Sequence, residues 1–182
     1  TYTKKEAGLY LTGLFGQNLI YNIVTAGLYY YFQNVICLPA MALGWIFAIA
    51  RIWDAINDPM MGSIVDKTKS KWGKCKPYLL FAPLVVCVIT CAAFLNGNYA
   101  VAKQEGNTSA MVLIVAWAAV SYILWGMSYT AGDVPLWGVI SRMSEVEKDR
   151  ANLIALARIV ASIAAGLGIV SVVALSQAAN KQ

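Results

Sequence analysis

Histidine is missing from the 182-residue chain altogether, which removes the commonest general base, metal ligand and proton relay together. Charge is scarce as well, because Asp, Glu, Lys and Arg make up only 13% of the residues, far too little for an ordinary soluble surface. The four cysteines, Cys37, Cys75, Cys87 and Cys91, have neither the number nor the spacing of a disulfide framework or a metal cluster. They read as small apolar fillers. No nucleophile stands beside a base in any catalytic motif, so an enzyme is the weakest functional class. Low-complexity linkers and soluble domains are absent too, which leaves one continuous bundle.

What the chain has in abundance is apolar sequence, at 59% hydrophobic residues. Runs long enough to cross a bilayer, about 20 residues each, fall roughly at 8–34, 39–65, 77–96, 110–139 and 151–176. An all-α membrane protein with five transmembrane helices is the expectation. The first run is too long for a cleaved signal sequence and is followed at once by another span. Lys4 and Lys5 precede span one, Lys67, Lys69, Lys71, Lys74 and Lys76 fill the second loop, and Arg142, Lys148 and Arg150 fill the fourth. By the positive-inside rule the N-terminus and both basic loops are cytoplasmic. The net charge of +5 is therefore a topology signal, and no nucleic-acid partner is needed. Asn107-Thr108-Ser109 forms a glycosylation sequon of little weight. The chain opens on Thr1 and stops at Gln182, and both a fragment and the ordered part of something longer remain open.

Five groups that carry charge in water, Arg51, Asp54, Asp58, Asp133 and Arg158, interrupt the apolar runs. A charge at the bilayer centre costs about 2.5 to 3.5 kcal/mol on the translocon scale, so such residues mark a polar pathway by default. Their alternative is mutual pairing that holds helices together. Span one adds a softer stripe, with Gln17, Asn18, Tyr21 and Asn22 at helical spacing. That stripe should face a cavity or bond to neighbouring helices.

In Arg51-Ile52-Trp53-Asp54-Ala55-Ile56-Asn57-Asp58-Pro59 the charged residues share one helix face, with Asn57 beside Asp54. Two carboxylates so close repel each other, and in an apolar setting they share a proton or bind a cation. Pro59 cannot donate to the Ala55 carbonyl, so that oxygen is free to join them around a hard cation such as sodium. A structural salt bridge to Arg51 is the alternative. One arginine cannot neutralise both acids.

The stretch RIWDAINDPMMGSIVDKTKSKWGKCKP, together with SYILWGMSYTAGDVPLWG at 121–138, resembles the glycoside-pentoside-hexuronide:cation symporters of the major facilitator superfamily, and within them the melibiose-permease branch. The resemblance implies a twelve-helix transporter of two halves, of which this chain would hold five helices of the N-terminal half. The remaining C-terminal half would then be a necessary partner. It further implies a site for sodium, lithium or a proton at Asp54, Asn57, Asp58 and Thr130, with no other cofactor.

The family's sugar site is matched at Asp133, Trp137 and Arg158. Residue chemistry agrees, since Tyr129, Asp133 and Trp137 are four apart, an acid for sugar hydroxyls between rings that can lie on a pyranose. An interfacial aromatic belt is the other reading of Tyr129 and Trp137. Where the family has a basic residue followed by an acid on helix one, this chain has Gln17 and Asn18. Asn18 can still bond a hydroxyl but lacks the charge that strengthens the bond.

Asp66, Trp72, Gly73 and Arg150 match the family's cytoplasmic gate, whose charged contacts break as the halves rock. A solvated, orientation-setting loop is the plainer reading of the lysines among them. The expected function is cation-coupled sugar symport by alternating access, with a small-molecule sugar, a monovalent cation and the lipid bilayer as partners. A lysolipid symporter and a non-transporting structural subunit are the rivals.

Overall fold

A computed structural model of the chain describes residues 3–144 and 146–179, and among these there is no strand. Helix α1 runs Lys4–Tyr30, a π-helical turn follows at Tyr31–Val35, and α2 spans Ala40–Lys67. Then come α3 at Lys76–Ala93, a short α4 at Tyr99–Gln104, α5 at Thr108–Met143 and α6 at Glu147–Ala179. The all-helical expectation holds, with shifted ends. The second loop is shorter than the sequence implied, because Asp66 and Lys67 close the last turn of α2. Arg142, Lys148 and Arg150 likewise lie within helices rather than in a loop.

Among the described residues four helices, α2, α3, α5 and α6, are long and apolar enough to cross a membrane, and the chain is a multi-pass membrane protein. Helix α1, expected as a fifth span, does not join that group. Gln17, Asn18, Tyr21 and Asn22 dilute its apolar content, as a stripe facing protein rather than lipid would. Helix α4, unforeseen in the third loop, is started by Asn98, whose side chain accepts from the N–H groups of Ala100 and Val101. Asn107 of the sequon does the same for α5, accepting from Ala110 N–H at 3.0 Å.

The chain divides into two compact units. One comprises the chain up to Gly27 with the part from Trp137 onward, the other Leu28–Leu136. In the first, α6 presents Leu153, Ala157 and Ala164, all fully buried, and small residues let helix backbones approach closely. At Gly168 the backbones leave no room for a side chain. A Cβ there would lie 2.9 Å from Asn22 Cβ and 3.2 Å from the Leu19 carbonyl oxygen.

In the second unit, Phe32 of the π-helical turn is fully buried and meets Tyr122 edge-on, with ring centres 6.4 Å apart. Phe47 packs T-shaped on the same Tyr122 at 4.9 Å. From there Tyr122, Trp125 and Tyr129 stack along α5, at 6.0 and 5.9 Å, a spacing of three and four residues that puts them on one helix face. The C-terminal end of α3 and the residues just after it are tied to α5 by hydrogen bonds. Trp117 Nε1 donates to the Ala92 carbonyl at 3.2 Å, and Asn96 Nδ2 donates to that of Ile114 at 3.1 Å.

Candidate functional site

Helix α2 splits its faces sharply. Leu43, Ile46, Ala50, Asn57 and Val65 are buried, while Met41, Trp45, Ile49, Ile52, Ile56 and Met60 form an exposed apolar stripe. Asn57 is thus the polar member of an inward face, only 4% exposed. Its Nδ2 has no hydrogen-bond partner among the described residues. A buried donor left unsatisfied costs about 1 to 3 kcal/mol, so this amide is held in place against its own preference.

The two acids flank Asn57 and differ in their partners. Arg51 Nη1 lies 3.9 Å from Asp54 Oδ2, but the arginine side chain is 72% exposed, and so long and exposed a pair contributes little. Asp58 has no cationic partner among the described residues. Thr130 Oγ1 of α5 donates to Asp58 Oδ1 at 3.2 Å instead. One turn earlier on α5, a Cβ at Gly126 would sit 3.3 Å from Asp54 Oδ1. The bare glycine backbone therefore leaves space beside that carboxylate which any side chain would take.

Asp54, Asn57, Asp58 and Thr130 are thus brought together in one unit, with Gly126 as a fifth member that sequence reasoning missed. Its signal was present, since Gly126 and Thr130 are four apart on α5 and share a face. Proximity to α2 was what the sequence could not supply. No group of three or more His, Cys, Asp or Glu gathers among the described residues. A cation here would draw on two carboxylates and neutral oxygens, a donor set for hard ions.

The remaining expected residues fall into separate groups. Tyr129 OH donates to Asp133 Oδ1 at a long 3.4 Å, the two being one turn apart on α5. In the other unit the Arg158 guanidinium lies over the Trp137 ring, 6.0 Å from its centre, at the outer limit of a cation–π contact. Asn18 Nδ2 donates to the Leu14 carbonyl at 3.0 Å, and Asn22 Nδ2 donates to that of Asn18 at 2.8 Å. The polar stripe of α1 therefore spends these two donors on its own backbone, a third outcome beside the cavity and the neighbouring helix.

Of the gate residues, Asp66 and Trp72 are exposed. Gly73 adopts φ 90 and closes a turn by donating its N–H to the Ser70 carbonyl at 3.0 Å. Left-handed backbone alone calls for glycine there. Arg150 lies in the first turn of α6.

A family model described as MFS/sugar transport protein matches residues 9–181. The chain belongs to the MFS/sugar transport protein family. Its all-helical bundle is that of the N-terminal half of a major facilitator transporter, and the resemblance to the glycoside-pentoside-hexuronide:cation symporters holds. Among relatives of this family member, the uncharacterized symporter YjmB of Bacillus subtilis (strain 168) is 33% identical over 151 residues, covering 82% of this chain and 31% of the relative. The isoprimeverose transporter of Lactiplantibacillus pentosus is 27% identical over 161 residues, 88% of this chain and 31% of the relative. A lactose permease of Lactobacillus helveticus is 30% identical over 105 residues, 58% of this chain and 16% of the relative. The MFS chain spans about a third or less of the length of these curated relatives.

Proposed function

We propose that the chain is part of a cation-coupled sugar symporter of the cytoplasmic membrane, with its N-terminus cytoplasmic, α1 as a fifth span and a C-terminal half completing the pathway. The observation that carries the reading is Asp58, a carboxylate on a membrane-crossing helix whose partner is a hydroxyl and not a cation. With Asp54 beside it and one exposed arginine nearby, the cluster is short of positive charge. A sodium ion, a lithium ion or a proton makes up the difference.

The cation is substrate, not a resident cofactor. It is held by Asp54, Asp58, the side-chain oxygen of Asn57 and Thr130, with room kept by Gly126. Neutralising the acids lowers the cost of a closed, occupied cavity. Within the second unit, Tyr129 and Asp133 are proposed for sugar contact, an acid for hydroxyls beside a ring for a pyranose face; within the first, taken by itself, Asn18, Trp137 and Arg158 are proposed for the same chemistry. Relatives named lactose permease and isoprimeverose transporter support a sugar as cargo. Asp66, Trp72 and Gly73 of the second unit, and separately Arg150 of the first, are proposed as gating residues by family resemblance.

The test is Asp58→Cys in the full-length protein. Sugar uptake lost with folding and membrane insertion intact supports the symporter. Misassembly of the variant supports a structural role for the acid instead.

A further inference from the structure

An apolar groove of about 270 Å³ lies between α3 and α5, lined by Pro77, Tyr78, Phe81 and Val85 on one side and Ser128 and Ala131 on the other. Its α3 wall runs along the helix for about 12 Å, from the rise per residue. Ser128 presents no free donor, because its hydroxyl donates to the Trp125 carbonyl at 2.8 Å. A dry trough of this kind suits hydrocarbon and not a sugar or an ion.

The end of the groove at Pro77 has the opposite character. The connection before it, taken with the last turn of α2 and the first residue of α3, carries Lys67, Lys69, Lys71, Lys74 and Lys76, all exposed, against the single acid Asp66. That connection is fastened to the groove itself, since Thr68 Oγ1 and the Tyr78 hydroxyl share a hydrogen bond of 2.7 Å. Cys75, only 5% exposed, anchors it at the start of α3. The lysines are thus tied to the top of an apolar trough on a helix apolar enough to cross the membrane.

We propose that this groove binds an anionic phospholipid, with one acyl chain along Phe81 and Val85 and the phosphate-bearing headgroup among the lysines. Charge complementarity selects this occupant. Lysine clusters next to a membrane-crossing helix gain attraction for anionic lipid with each residue, whereas an apolar protein segment has no use for them. The basic connection then does more than set orientation: it recruits a lipid to the wall formed by α3 and α5.

The test is native mass spectrometry of the full-length protein with phosphatidylglycerol, phosphatidylcholine or inorganic phosphate as probe. Phosphatidylglycerol should be retained in preference to phosphatidylcholine, and inorganic phosphate should not bind. Substituting Lys71, Lys74 and Lys76 by Gln should lower phosphatidylglycerol retention by about fivefold per lysine and leave phosphatidylcholine unchanged. Filling the trough with Ala131→Phe, or from its exposed side with Val85→Trp should that variant fail to fold, should lower retention of both lipids. Equal retention of the two lipids by the parent protein would overturn the proposal. So would loss on lysine substitution with no effect of either trough-filling variant, since the headgroup would then bind without the groove.

Discussion

Thr130 Oγ1 donates to Asp58 Oδ1 across 3.2 Å, joining two residues 72 positions apart. The bond fastens α5 to the acidic face of α2, and it supplies Asp58 with its partner. A hydrogen bond to a charged group is worth about 1.5 to 3 kcal/mol. Thr130→Ala removes an oxygen ligand and should weaken sodium or lithium binding by about tenfold or more, whereas Thr130→Ser, which keeps the hydroxyl, should stay within a few-fold. Titration of sugar uptake by the full-length protein against sodium, lithium and protons measures this.

Gly126 should be nearly as sensitive without offering any ligand. A Cβ 3.3 Å from Asp54 Oδ1 forces the carboxylate to give by a few tenths of an ångström. Gly126→Ala should therefore raise the cation concentration needed for half-maximal uptake, and Gly126→Val should abolish cation dependence. Unchanged cation dependence in both variants would show that Asp54 has room to spare.

What the sequence made legible and what it concealed divide along a physical line. Charges interrupting apolar runs are visible one residue at a time, so Arg51, Asp54, Asp58, Asp133 and Arg158 stood out, and spacing alone put the first three on one face of α2. The bond from Thr130 to Asp58 and the space beside Gly126 join helices remote in the chain, and a single sequence does not show such pairings. Family resemblance, not residue pattern, brought Thr130 forward. The first helix shows the converse. Its polar stripe was plain in sequence, but Asn18 and Asn22 bond backward along their own helix, a local choice that hydropathy does not encode. The stack of Tyr122, Trp125 and Tyr129 was likewise hidden among residues common to membrane helices.

Asn57 should reveal a conflict between stability and function. Asn57→Leu replaces an unsatisfied buried amide with an apolar side chain of similar volume, removing a penalty of about 1 to 3 kcal/mol. The variant should melt higher than the parent protein in the absence of cation and lose cation-dependent uptake. A lower melting temperature would mean that the amide is satisfied in the assembled protein.

Gly168 tests the packing of α6 on α1 separately from any site. A Cβ would meet Asn22 Cβ at 2.9 Å, and overpacking of this kind costs about 1 to 3 kcal/mol. Gly168→Val should lower the melting temperature and surface expression, while Gly166→Val, where a Cβ meets nothing within 4 Å, should do neither.

The central claim is that cation and sugar share one coupled equilibrium through Asp54 and Asp58, and reciprocal linkage tests it most directly. Sugar affinity of the purified full-length transporter is measured with and without sodium, with lithium, and across pH. At least one cation should tighten sugar binding by about five-fold or more, sugar should tighten that cation by the same factor, and Asp58→Asn should abolish both effects. Sugar binding indifferent to sodium, lithium and protons alike would contradict the claim.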